Sequence, residues 1–215
     1  MLWHRSAVYL PHFNRMDAED VASFLDAVGT AELVTVGPDG YPVATLLPFV
    51  REDDRLLMHL ARANAHWQAI EPGTPALAIV AGPQAYVSPA WYATKHEHGR
   101  VVPTWNYSAV HLTGTVTTHH DEDWLRDLVG RLTHLHEHGR ADPWAVEDAP
   151  ADYVRKQLRA IVGIELAVER VEAKAKLSQN RSDADRAGVV RGLEEEAGAA
   201  GIFVAGAMRR LEDRR

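Results

Sequence analysis

Two nearby stretches, residues 88–92 (Ser-Pro-Ala-Trp-Tyr) and residues 101–107 (Val-Val-Pro-Thr-Trp-Asn-Tyr), bring four large aromatic side chains into one short span. Only 7% of the 215 residues are aromatic, so this clustering is a strong local bias. Flat rings beside polar groups such as Asn106 and Lys95 make a wall suited to a planar ligand. A core that happens to be aromatic is the alternative interpretation, and composition alone leaves it open.

Short β-prone segments separated by turn signals surround this span. Gly37-Pro-Asp-Gly40 predicts a tight turn between two strands. Alternation over residues 104–118 predicts a long strand with Val110 on one face and Trp105 and an inward-facing His111 on the other. A bend or bulge is expected at Gly82-Pro83, between two short strands. The complete set of predicted strands is 32–36, 41–50, 56–60, 76–81, 84–87, 104–118 and 162–171.

Capping residues and apolar periodicity predict the helices. Asp17 can cap a helix over residues 18–28, and Ser182 with Asp185 has the spacing of a capping box. Residues 95–100 read as a loop. The predicted helices are 18–28, 61–70, 121–138, 152–160 and 183–196. Antiparallel strands with inserted helices favour an α+β fold built on a β-barrel.

Composition excludes several classes of protein. The net charge of -7 and the pI of about 5.9 argue against broad contact with nucleic-acid phosphates. The chain has no cysteine, so disulfides, thiolate chemistry and Cys-ligated zinc are excluded. No signal peptide or apolar run of membrane-spanning length is apparent, and we expect a cytoplasmic protein without membrane contact. Signatures of dinucleotide-binding Rossmann folds, P-loops and α/β-hydrolases are missing from the sequence.

Several unusual strings resemble those of one known family. They include His59-Leu-Ala-Arg-Ala-Asn64, Gly82-Pro-Gln-Ala-Tyr-Val-Ser-Pro89, Val101-Val-Pro-Thr-Trp-Asn-Tyr107 and Lys176-Leu-Ser-Gln-Asn-Arg181. With them the chain resembles the PaiB family, whose members are labelled FMN-binding negative transcriptional regulators. The resemblance runs from about residue 9 to about residue 193.

This resemblance implies an FMN-binding split β-barrel of the flavin-reductase and pyridoxamine-oxidase type with peripheral helices. It also implies a homodimer with ligand sites at the subunit interface. We therefore expect one split-barrel domain with inserted helices over residues 1–195 and a C-terminal tail, a loose helix, over 196–215. A branch similar to PaiB consists of haem-dependent piperazate synthases, which close an N–N bond on a hydroxylated ornithine. The chain departs from its relatives at Leu46, where many carry a histidine.

Residue types at particular positions indicate how a cofactor would be held. Arg62 follows a strand and starts a short helix, so its guanidinium group and the nearby backbone N–H groups are suited to bind an anion. In related split barrels a basic residue at this point holds the FMN phosphate. Asn64 would support it, and Lys95 and Lys176 would add charge. The alternative for Arg62 is the cap of a surface turn. His59 would ligate iron if the cofactor is haem.

The aromatic and amide side chains would line the pocket around the planar ring, and Gln179 and Asn180 would close it or form an ordinary helix-entry turn. The complete set of predicted cofactor-binding residues is His59, Ala61, Arg62, Asn64, Ser88, Trp91, Tyr92, Lys95, Trp105, Asn106, Tyr107, His111, Lys176, Gln179 and Asn180.

Three functions are compatible with the resemblance. The first is a flavin protein that uses FMN, either as an oxidoreductase or as a regulator that depends on a small-molecule ligand. The second is an enzyme of the piperazate synthase type with haem b and a histidine axial ligand. The third is a transcriptional repressor, which the acidic run Glu194-Glu-Glu196 on a predicted helix makes doubtful because it would repel phosphates.

Overall fold

Six β-strands and six α-helices account for most of residues 8–212, the part of the chain that the computed structural model describes. The strands are β1 Thr30–Val36, β2 Pro42–Glu52, β3 Arg55–Ala61, β4 Thr74–Val87, β5 Thr104–His119 and β6 Ile161–Lys176. The helices are α1 Ala18–Val28, α2 Thr94–His98, α3 Glu122–Glu137, α4 Ala151–Arg159, α5 Asp183–Glu196 and α6 Gly198–Glu212. Within residues 8–212, no helix is both long enough and apolar enough to cross a membrane.

The strands follow the order β1-β2-β3-β6-β5-β4 in a closed barrel. Antiparallel pairing places Leu33 opposite Thr45, and Met58 opposite Ile164. This arrangement confirms the α+β fold built on a β-barrel. The described chain divides into two units, which we call the barrel unit (residues 25–80 and 111–171) and the cleft unit (residues 8–24, 81–110 and 172–212).

The barrel unit takes its core from its strands, and β3 contributes buried residues from both of its faces. In β3, Leu56, Met58 and Leu60 are buried on one face. On the other face, Leu57 packs against Leu128 and Leu132 of α3. Because both faces of this strand are buried, residues 56–60 are apolar on both faces, and only His59 interrupts the run.

The cleft unit is built around α5 and α6. Its apolar cluster includes Val189 and Leu193 from α5, together with Val204 and Met208 from α6. The loose helical tail expected beyond residue 196 is therefore wrong, because α6 contributes fully buried side chains to this core. Local sequence did not reveal this, since the Ala- and Gly-rich helix gains its stability from tertiary packing.

Most predicted elements are confirmed to within a few residues, and three are corrected. Residues 65–69 form only a short 3-10 turn where a helix over 61–70 was predicted. β4 runs through Gly82-Pro83 as one strand where two were predicted, and its buried face changes from even to odd positions between Val80 and Ala85, as the bulge expected there would produce. Residues 94–98 form α2 instead of a loop, and Gly99 closes it in the left-handed conformation (φ 68°).

His111 was expected to face inward, and this is also wrong. In β5 the buried positions are even-numbered, including Val110 and Leu112, so His111 lies on the opposite face and is half-buried. β6 extends to Lys176, five residues beyond the predicted end at 171. The extension adds Lys174 and Lys176 to the strand, on the face opposite the buried Ala173 and Ala175.

Candidate functional site

A cleft of about 490 Å³ lies within the cleft unit. Its walls carry aromatic rings, three cationic side chains and no carboxylate among the described residues. The lining residues are Tyr9, Pro11, Phe13, Asn14, Tyr92, Val102, Thr104, Trp105, Asn106, Tyr107, Lys174, Lys176, Ser178, Asn180 and Arg181. The volume falls within the usual range of small-molecule sites, about 300–1,000 Å³. Such a cleft suits a flat ligand that carries negative charge.

Tyr92 reaches the cleft because its neighbour Trp91 is fixed against α5. The Trp91 indole lies over Gly192, where an added Cβ would come within 2.3 Å of the ring, and its Nε1 donates to Glu196 (3.0 Å). Asp185 of α5 then accepts hydrogen bonds from the backbone and hydroxyl of Thr94 (2.9 and 3.0 Å). Held on both sides, Tyr92 is only 1% exposed. Its hydroxyl is buried and makes no hydrogen bond of good geometry among the described residues, although Arg181 and Ser178 are polar neighbours.

Three cations approach one another in the cleft. Lys176 donates to the Thr104 hydroxyl and the Trp105 carbonyl oxygen. Lys174 donates to the carbonyl oxygen of Tyr9 (3.1 Å). Arg181 lies over the Tyr92 ring, with Cζ 4.7 Å from the ring centroid. Burial lowers the pKa of Lys176, and the neighbouring Lys174 and Arg181 charges lower it further.

The turn that carries these groups has an unusual backbone. Ser178 adopts a left-handed conformation (φ 64°), which is uncommon for a residue other than glycine. Its hydroxyl accepts from Asn106 Nδ2 (3.1 Å) and lies 3.2 Å from Asn106 Oδ1 as donor. Gln179 bonds the Leu177 N–H (2.7 Å) and the Ala175 carbonyl oxygen. These bonds hold the β6–α5 turn and place Arg181 over the Tyr92 ring.

The structure therefore divides the predicted site residues of the cleft unit. Those that line the cleft are Tyr92, Trp105, Asn106, Tyr107, Lys176 and Asn180. Four others have different surroundings. Ser88 accepts from the Ala90 N–H as a cap, Trp91 packs on α5, Lys95 is exposed on α2, and Gln179 bonds the local backbone.

The remaining predicted residues belong to the barrel unit. Arg62 donates from Nε to the Arg159 carbonyl oxygen (2.8 Å) and from Nη2 to that of Ile161 (3.0 Å). Two nitrogens of its guanidinium group therefore already bond backbone carbonyl oxygens, and the role of Arg62 as a phosphate ligand stays a prediction. Asn64 caps the short turn by accepting from the His66 N–H (3.0 Å).

His59, Ala61 and His111 lie on strands of the same unit. His59 is half-buried in β3, and its Nδ1 is buried without a hydrogen-bond partner in residues 8–212. Burial lowers the pKa of His59, which favours the neutral imidazole. Ala61 is exposed at the end of β3.

Sequence reasoning missed several residues that the structure makes prominent. Arg181 and Lys174 were not predicted as ligands, although Lys174 and Lys176 share one strand face by their i, i+2 spacing. Tyr9 and Asn14 carried no signal, because they reach the cleft from the other end of the chain. His66 was also missed: it is buried and bonds the hydroxyls of Thr35 (2.9 Å) and Thr45 (2.8 Å).

Comparison with known proteins gives the family. Residues 8–170 match the family model described as "Putative FMN-binding domain". The Bacillus subtilis protein named Protease synthase and sporulation protein PAI 2 is 32% identical over 194 residues, covering 88% of this chain and 90% of that protein. The chain belongs to the PaiB family. The family model ends at residue 170, before Lys174, Lys176 and Arg181.

Solved structures confirm the split-barrel fold expected of a PaiB member. The FAD and haem binding protein from Mycobacterium smegmatis superposes with a TM-score of 0.58 at 24% identity, covering 80% of this chain and 77% of its own. The flavocytochrome Anf3 from Azotobacter vinelandii gives a TM-score of 0.58 at 21% identity, covering 85% and 80%. At these identities the likeness concerns the fold.

Proposed function

We propose that this PaiB-family chain binds FMN and acts through it, as an oxidoreductase or as a ligand-dependent regulator. The observation that carries the proposal is the aromatic, cationic cleft in a chain that matches an FMN-binding family model. An isolated cluster of cations in a chain of net charge -7 is suited to an anionic cofactor.

The cleft residues fit the parts of FMN. Trp105 is 52% exposed and contacts Tyr86 edge-on (centroids 6.1 Å apart), so its free face can pack against a flat ring. Lys174, Lys176 and Arg181 offer charge to a phosphate, and the buried Tyr92 hydroxyl offers an unused donor. Bound FMN supplies one- and two-electron redox chemistry. The protein residues bind it, orient it and exclude water.

Absorption spectroscopy of the purified protein tests this proposal. We expect a flavin spectrum as isolated or after addition of FMN, with quenching of flavin fluorescence on binding. Trp105→Ala should weaken FMN binding by about fivefold to hundredfold, because stacking on an aromatic ring contributes roughly 1–3 kcal/mol. Lys95→Ala, on the exposed helix α2, is the matched control. A protein that neither contains nor takes up flavin would refute the proposal.

The regulatory alternative works through the ligand and not through DNA. Glu194-Glu-Glu196 at the end of α5 would repel phosphates, and a net charge of -7 opposes broad contact with them. A mobility-shift titration with promoter fragments should show no sequence-specific, salt-dependent complex. A tight specific complex would favour the repressor.

Haem b is the second candidate, and His59 is the observation that favours it. Its imidazole has an unpartnered Nδ1 and a lowered pKa, as suits a neutral ligand to iron. If haem is bound through His59, His59→Ala should abolish or shift the Soret band. If FMN is the cofactor, the same substitution should change flavin affinity by less than about tenfold, or ~1.4 kcal/mol.

A further inference from the structure

The three cations of the cleft have no carboxylate counter-ion in the described part of the chain. Within residues 8–212, Lys174, Lys176 and Arg181 bond only carbonyl oxygens, a hydroxyl or an aromatic ring. In the same unit Arg186 is paired with Glu212 (2.8 Å), whereas Lys95 and Arg100 are exposed cations with no ion pair in the described residues. Carboxylates are abundant, with 30 Asp and Glu in the sequence. What distinguishes the cleft is that three partly buried cations share one site whose lining has no carboxylate among the described residues.

Unpaired like charges in a cleft oppose folding, since each disfavours the charged form of its neighbours. The lowered pKa of Lys176 reflects this, with burial as the main cause and the two other cations as the next. A bound anion would reverse the sign of these interactions. Proteins tolerate such unfavourable local arrangements chiefly at functional sites.

The buried hydroxyl of Tyr92 is a second, independent indication of a ligand. It lines the cleft and is almost fully shielded from solvent, and it makes no hydrogen bond of good geometry in residues 8–212, with Arg181 and Ser178 as its polar neighbours. An unsatisfied buried polar group costs about 1–3 kcal/mol. Arg181 lies against the same ring, so an acceptor placed at the hydroxyl would also be near a guanidinium.

The backbone around Arg181 supports the same assignment. Arg181 donates its N–H to the Ser178 carbonyl oxygen (3.0 Å), closing a turn whose first residue has φ 64°. Strained backbone of this kind clusters at ligand-binding sites. In the barrel unit, by contrast, two donors of the Arg62 fork already bond backbone carbonyl oxygens.

We propose that Arg181, Lys176 and the Tyr92 hydroxyl together anchor the anionic group, a phosphate or a carboxylate, of a flat aromatic ligand in the cleft. This deepens the proposed function and rests on it for the flavin as the aromatic body. Two sources share this chemistry: the phosphate of FMN itself, or the carboxylate of a separate aromatic acid.

The test compares FMN with riboflavin, which has the same ring system and no phosphate. The ratio of their dissociation constants isolates the phosphate contribution. Arg181→Met and Tyr92→Phe are the test variants. Phe keeps the Tyr92 ring, and the Arg181 side chain contacts that ring without an ion pair in residues 8–212, so the fold should persist. Arg100→Met, an exposed cation of the same unit, is the matched control, and Arg62→Met tests the rival anchor. Parallel titrations of flavin-free protein use 2-naphthoate, a planar aromatic carboxylate.

We expect Arg181→Met to reduce the riboflavin-to-FMN ratio by about tenfold to a hundredfold, and Tyr92→Phe by about tenfold, with riboflavin affinity unchanged. The ratio could instead stay unchanged in Arg181→Met and Tyr92→Phe while both variants lose binding of 2-naphthoate. That result would support the anchor and identify a separate aromatic acid as its ligand. If the ratio of dissociation constants falls only in Arg62→Met, the proposed anchor is overturned, while the proposal that the protein binds FMN still stands.

If the wild-type protein binds neither flavin, the proposed function fails and the naphthoate titration decides the anchor alone. Binding of 2-naphthoate that is lost in Arg181→Met and kept in Arg100→Met would support it. No binding, or equal binding by all variants, would overturn it.

Discussion

The contact between Trp91 and α5 makes a quantitative prediction about two glycines. A Cβ at Gly188 would lie 2.0 Å from the Trp91 carbonyl oxygen, whereas a Cβ at Gly130 of α3 would meet nothing within 4 Å. Both positions lie inside α-helices, so alanine gains about 1 kcal/mol of helix propensity at each. At Gly130 that gain is the whole effect, and Gly130→Ala should be stabilising.

At Gly188 the backbone of residue 91 must move. Overpacking typically costs 1–3 kcal/mol, and a backbone atom at this distance favours the upper end, so Gly188→Ala should be destabilising by about 2 kcal/mol after the propensity gain. For a chain of this size, 1 kcal/mol shifts Tm by roughly 2–4 °C. We therefore expect Tm to rise by about 2–4 °C for Gly130→Ala and to fall by about 4–8 °C for Gly188→Ala.

Thermal and urea unfolding followed by circular dichroism measure both variants against the wild type. The comparison within one protein cancels the common helix term and leaves the clash. Two variants of equal stability would refute the packing of Trp91 on α5, and with it the account of how Tyr92 is held at the cleft.

Three further predictions follow from other contacts. Gly192→Ala should lose less stability in a Trp91→Leu background than in the wild type, because its added Cβ meets the indole ring; additive losses in urea unfolding would contradict this. Burial lowers the pKa of His66 below the unfolded value of 6.5, so the unfolded state binds the proton more tightly. The free energy of unfolding should therefore fall as the pH drops below about 6.5, and this pH dependence should weaken in His66→Gln. An unaltered pH profile in the variant would argue against the Thr35–His66–Thr45 network. Light scattering should give a dimer at micromolar concentration, consistent with exposed apolar side chains such as Ile202 and Phe203 on α6, whereas a monomer mass would contradict the homodimer.

Local signals explain which elements could be predicted. The helix over 183–196 begins and ends where the capping pattern indicated, because Ser182 accepts the Asp185 N–H (3.2 Å) through contacts only three residues apart. The same kind of reasoning placed a bend or bulge at Gly82-Pro83, where the buried face of β4 does change, but it wrongly divided β4 into two strands. At Gly82 an added Cβ would come within 2.7 Å of Phe24, a packing constraint that no local pattern reveals.

By itself the sequence determined the α+β class, the barrel, the family and the aromatic stretch that supplies Tyr92, Trp105 and Tyr107 to the cleft. These depend on periodicity, turn chemistry and strings of neighbouring residues. Only the tertiary structure decided that Trp91 packs on α5 while Tyr92 lines the cleft, since adjacent residues look alike in sequence and differ in what they meet. It also brought Tyr9 to Lys174 (3.1 Å) across 165 positions and left the cleft cations without carboxylates, because contacts between distant segments are set by packing and not by local propensity.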